Sequence, residues 1–110
     1  MLYHVTFSVD RQALGASGNV ETIRAAEIQR AAAARDAGRL IGLWRRADGD
    51  GVIFILDVES HDALLAELST LPLFPYLRKV DVIPLVAYPG FSRAETLDCY
   101  RQQTRAETQP

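Results

Sequence analysis

The sequence predicts an α+β domain with the element order β-α-β-β-α-β, and three observations carry that prediction. A strand-like alternation opens the chain at "LYHVTFSV". Two further strand-like runs, "RLIGLWRRA" and "GVIFILDV", flank "DGDG", a composition that favours a hairpin turn. Two helix-like stretches complete the order, the second leading into a last strand, "KVDVIPLVAY". This is the ferredoxin-like split βαβ pattern, a four-stranded antiparallel sheet with both helices on one face.

Each element has a local cause. Side chains alternate along a strand, so Leu2 to Val9 presents Tyr3, Val5, Phe7 and Val9 on one face and Leu2, His4, Thr6 and Ser8 on the other. "DRQALGASGN" reads as a loop. Asn19 is placed to cap the helix "VETIRAAEIQRAAAARDA", and Gly38 to end it in a left-handed conformation. In "SHDALLAELSTL", Ser60 is the expected N-cap and Leu64, Leu65 and Leu68 the apolar stripe. Pro84 has no N–H to give a ladder, which assigns the last strand to an edge or a bulge. Residues 1–90 form the expected domain and 91–110 a C-terminal extension. The extension is polar apart from Leu97, Cys99 and Tyr100, and is expected to dock as far as Gln102 and fray beyond it.

The run "VIFIL", residues 52–56, is apolar on both faces, whereas a strand with one wet face should alternate. Something must cover the open side of the sheet. The expected cover is a second copy of the same sheet, since soluble oligomers are mostly homo-oligomers. The chain's own tail is the other candidate.

Composition narrows the function classes. A chain of 110 residues with 48% apolar content makes one domain. Its net charge of −2, without a basic block, argues against nucleic acid or an anionic membrane as the main partner. A single cysteine, Cys99, excludes an intramolecular disulfide and a cysteine-based zinc site. The chain reads as cytoplasmic, with no signal peptide and no run near the roughly 20 residues of a spanning helix. P-loop, GxGxxG, HExxH and GxSxG patterns are absent, so nucleotide and metal chemistry has no motif behind it.

One residue stands in an unexpected place. On a helical wheel, Val20, Ile23, Ala31 and Ala34 share an arc with Glu27 at its centre and Arg24 and Arg30 at its flanks. A carboxylate within an apolar stripe is costly unless paired, and desolvation raises its pKa. That is how a general base is tuned towards neutral pH. The structural alternative is an ion pair with an arginine, and Ala25, Ile28 and Ala32 offer a rival apolar face. His4 lies on a polar strand face, where a hydrogen-bonded core role competes with a catalytic one. Trp44 and Arg46 share a strand face, with Arg45 opposite; either arginine is a candidate for holding a carboxylate. His61, after the cap, is expected to be exposed, and Cys99 has no evident activating base.

The stretch "LSTLPLFPYLRKV", residues 68–80, spends two prolines and two aromatics on a helix-to-strand turn, where Gly, Asn, Asp or Ser is usual. Together with "MLYHV", "LWR" at 43–45 and "DVES" at 57–60, its "LPLFPY" at 71–76 resembles the muconolactone Δ-isomerases and the related chloromuconolactone dehalogenases. The resemblance runs from Met1 to about Gly90. It implies a ferredoxin-like fold paired sheet to sheet as a dimeric α+β barrel, and assembly into rings, commonly decamers. It also implies proton transfer between carbons of a small unsaturated lactone acid without metal or cofactor. Glu27, Arg24 and His4 fall where such proteins carry acidic, basic and histidine residues. Phe74 and Tyr76 become expected pocket walls. Two departures stand out: Val52, Ile53 and Phe54 replace a polar stretch, and Ile41-Gly42 replaces bulkier aromatic and basic residues. These leave room for a relative acting on a polyketide-like or aromatic intermediate, for a non-catalytic small-molecule binder, or, on fold analogy alone, for a cofactor-free monooxygenase.

Overall fold

The computed structural model describes residues 1–49, 51–95 and 97–98. Strands β1 (Leu2–Val9), β2 (Leu40–Arg45), β3 (Val52–Asp57) and β4 (Leu77–Leu85) form one antiparallel sheet in the order β2-β3-β1-β4. Helices α1 (Arg11–Ala16), α2 (Val20–Asp36) and α3 (His61–Ser69) complete the described elements, with a 3-10 turn at Phe74–Tyr76. This is the ferredoxin-like arrangement that the strand and helix order predicts.

The ends of the helices follow capping chemistry. Ser60 Oγ accepts from the Ala63 N–H at 3.1 Å and starts α3. Gly38, at φ +84°, closes α2 while its neighbour Arg39 N–H returns to Ala34 O at 2.9 Å. Asn19 holds the N-cap position of α2 without a side-chain cap bond, its amide turning to Ser17 O instead. The expected loop between β1 and α2 contains α1. Asp10 caps it through Oδ1 to the Ala13 N–H, and the buried Leu14 anchors it.

Tyr3, Val5 and Phe7 of β1, Phe54 and Leu56 of β3, and Leu64 and Leu68 of α3 form the main core with Ala34 of α2. Each of these large side chains contributes about 1.5–3 kcal/mol by leaving water. Leu65 does not belong to the stripe: it is 62% exposed, because Leu64 and Leu68, four residues apart, already fill the contact with the sheet. His61 is exposed, but its Nδ1 lies 2.7 Å from the hydroxyl of the fully buried Tyr3.

The opposite face of the sheet carries a second apolar cluster. Leu2, Ile41 and Ile55 pack there against Leu97, with Trp44 and Leu85 at its margin. The chain's own C-terminal extension therefore covers part of the face for which a second sheet is the expected cover. A register shift in β2 between Leu40 and Gly42 puts the consecutive residues Ile41 and Gly42 both on this side. Cys99, Tyr100 and the expected fraying point at Gln102 lie outside the described residues.

β4 is an edge strand, as Pro84 predicts, although it begins at Leu77 rather than Lys79. A second register shift, between Thr6 and Ser8 on β1, falls opposite Lys79, whose φ of 51° is the one positive value outside glycine among the described residues. No helix among the described residues is long and apolar enough to cross a membrane.

Candidate active site

Between α2, α3 and the sheet lies a cavity of about 140 Å³. Its floor is Phe7, Val52 and Phe54 of the sheet, with Phe7 and Phe54 edge to face at 5.6 Å between ring centres. Ala31 and Ala34 of α2 line the wall opposite. The void exists because these two positions carry methyl groups where Leu or Ile would reach the sheet. An engineered apolar void of about 150 Å³ holds a benzene ring, so this one suits a small ring.

Glu27 is half-buried on the α2 wall. The Leu73 N–H, in the segment that follows α3, donates to Glu27 Oε2 at 3.2 Å. Burial pushes the Glu27 carboxyl above its ordinary value, while the Leu73 N–H and the Arg30 charge pull the other way. Burial is the largest of the three. Arg30 is otherwise engaged: its Nη2 donates to Thr70 Oγ1 at 2.6 Å and to Glu67 Oε2 at 3.3 Å. Glu67 also makes an ion pair with Arg39, so two guanidinium groups share one carboxylate. Among the described residues, no group of three or more His, Cys, Asp or Glu side chains is placed to hold a metal ion.

A family model described as muconolactone delta-isomerase matches residues 1–90. The chain belongs to the muconolactone Δ-isomerase family. It is 36% identical over 93 residues to "Muconolactone Delta-isomerase" of Cupriavidus pinatubonensis, covering 84% of this chain and 100% of that one. It is 32% identical over 93 residues to "Muconolactone Delta-isomerase 1" of Acinetobacter lwoffii, covering 84% of this chain and 96% of that one. A crystal structure of muconolactone isomerase superposes with a TM-score of 0.68 at 30% identity, covering 83% of this chain and 94% of that one. The chain is an intramolecular isomerase of the muconolactone isomerase type, and these relatives do not favour a binder or a biosynthetic enzyme.

In this muconolactone isomerase relative, the residues singled out by sequence are spread over several places. Glu27 lines the cavity. Arg24 is exposed and does not line it. His4 belongs to the opposite face of the sheet, pairing with Ile55 and Ile83, and its Nδ1 is buried without a hydrogen-bond partner among the described residues. Trp44 is on that same face, its indole resting over Gly42. Arg46 sits at the hairpin, donating to both oxygens of Asp48 at 2.9 and 2.8 Å. Phe74 is 46% exposed, and Tyr76, half-buried, accepts the Asp10 N–H at 2.7 Å through its carbonyl. The proline-rich segment reaches the cavity through Leu71 and Leu73 instead.

Two charged residues of the site escape the sequence reading in this role, Arg30 and Glu67. Glu67 had the same signal as Glu27, since it sits beside Leu64 and Leu68 on the inward stripe of α3. A carboxylate within an apolar stripe of either helix was the feature to follow.

Proposed function

We propose that this isomerase shifts a double bond in a small unsaturated lactone held in the cavity, with Glu27 as the group that takes and returns the proton. The observation that carries the reading is a carboxylate raised in pKa by burial and facing an apolar cavity of ring size.

The ionised carboxylate removes the hydrogen on the ring carbon γ to the lactone carbonyl. The C–H electron pair enters the conjugated system and leaves an extended enolate. The same carboxyl group, now protonated, returns its proton at the α carbon, so the double bond moves by one position and no atom is lost. A raised pKa favours both halves, because a more basic carboxylate is the better proton acceptor near neutral pH. The Leu73 N–H fixes one carboxyl oxygen and leaves the other for the ring. Apolar walls keep water from competing for the proton.

A homo-oligomer built on sheet-to-sheet contact accompanies this reading, supported by Ile83 at 52% exposure on the partly covered face. One cysteine in the whole chain supports a reducing, cytoplasmic setting. The test is proton exchange in D₂O with muconolactone, followed by NMR. Deuterium should enter the ring with the native protein, and Glu27→Gln should lower both exchange and turnover by about 10²–10⁴-fold with the oligomeric state unchanged. Full turnover in Glu27→Gln would end the proposal.

A further inference from the structure

We infer that Arg30 anchors an anionic group of the substrate and makes this isomerase select lactones that carry a carboxylate, an inference that rests on the cavity being the reaction site. Arg30 is the single cation lining that cavity among the described residues. It stands one helical turn beyond Glu27, and positions three apart share a helix face. A carboxylate held there leaves the ring beside the proton-transferring group.

The donor arrangement suits a second carboxylate. Arg30 and Arg39 both pair with Glu67, and the Arg30 charge also acts on Glu27. Both hydrogen bonds of Arg30 to Glu67 and Thr70 use Nη2, and among the described residues Nη1 and Nε have no hydrogen-bond partner. A guanidinium is a fork that binds a carboxylate through two parallel N–H groups. Thr70 holds the fork in place from behind: its hydroxyl lies 2.8 Å from Ala66 O, to which it donates, while accepting from Arg30. The other arginines considered from sequence do not compete for the role. Arg24 does not line the cavity, and Arg46 is committed to Asp48 at the hairpin.

The experiment compares kcat/KM for muconolactone with that for a neutral butenolide of the same ring, 5-methyl-2(5H)-furanone, in native protein and in Arg30→Met. Native protein should prefer the carboxylate-bearing lactone. Arg30→Met should reduce that preference about 10- to 100-fold, the worth of a charge-assisted hydrogen bond, through KM, whereas the neutral lactone, which has no carboxylate to anchor, loses less and only through the changed charge beside Glu27. The neutral lactone also reports whether the variant is folded; if it is not, Arg30→Gln, which keeps a donor but removes the charge, gives the same comparison. An unchanged preference, or an equal loss on both lactones, overturns the inference. Failure of Glu27 as the proton carrier reads out separately, as full activity of Glu27→Gln on both substrates.

Discussion

Filling the cavity separates its energetic role from its functional one. Ala31 lines the void and packs at the edge of the main core, so Ala31→Leu directs three extra carbons into it. At roughly 30 Å³ each, about the share of a water molecule, they occupy more than half of the 140 Å³. Burial at about 0.8 kcal/mol per carbon sets a ceiling of about 2.4 kcal/mol. Leu is nearly as good a helix former as Ala, so propensity subtracts little, and imperfect fit takes away about half of the remainder. A net gain of about 1 kcal/mol raises Tm by about 4–8 °C for a domain of this size. The same variant should lose nearly all isomerase activity, because the lactone and the leucine need the same space. Differential scanning calorimetry and a turnover assay on one preparation read both effects. A lower Tm would refute the claim that the void is open to side chains. Retained turnover would refute the claim that the substrate lies between α2 and the sheet.

Two further outcomes follow from particular contacts. The Glu27 carboxyl has a folded pKa above its ordinary value of 4.5, so its contribution to stability is complete below the unfolded pKa and is lost as pH rises through the folded one; the Tm advantage of Glu27→Gln over the native protein should therefore be near zero in acid and grow towards neutrality, and an advantage that shrinks with pH would mean that the Leu73 N–H and Arg30 outweigh burial. A Cβ at position 42 would overlap Cη2 of the Trp44 indole, so Gly42→Ala should cost about 1–3 kcal/mol and shift the emission of Trp44, the chain's single tryptophan, whereas an unaltered spectrum would place the ring elsewhere.

What the sequence reveals depends on how local the cause is. Ser60, Gly38 and the alternation of β1 act within a few residues, and all three were readable. Glu27 was readable because a helix of 17 residues gives the apolar arc enough length to show a charge within it. Helix α1 was not, since six residues with one buried anchor, Leu14, leave no period to detect. The Arg30–Glu67 contact joins residues 37 apart, and its pairing follows from how α2 and α3 lie across the sheet. Ile41 and Gly42 are consecutive yet share the second face, through a shift of register that no residue type announces. The segment of the aromatic turn lines the cavity with Leu71 and Leu73, and Phe74 and Tyr76 stand outside that lining. Whether Leu73 or Phe74 meets the cavity is decided by the direction in which α3 releases the chain.

The irregularities of β4 bear on how this chain behaves when concentrated. An outermost strand with free N–H and C=O groups is a template on which another chain can add its own strand, the first step towards fibrils. Here the local bend at Lys79 breaks the row of donors and acceptors near one end, and Pro84 removes a donor near the other. Four residues, Val80 to Ile83, remain between those interruptions, a shorter run than the typical strand of about five or six. The uninterrupted stretch that this rim offers to an added strand is therefore short, which works against lateral, amyloid-like growth along it.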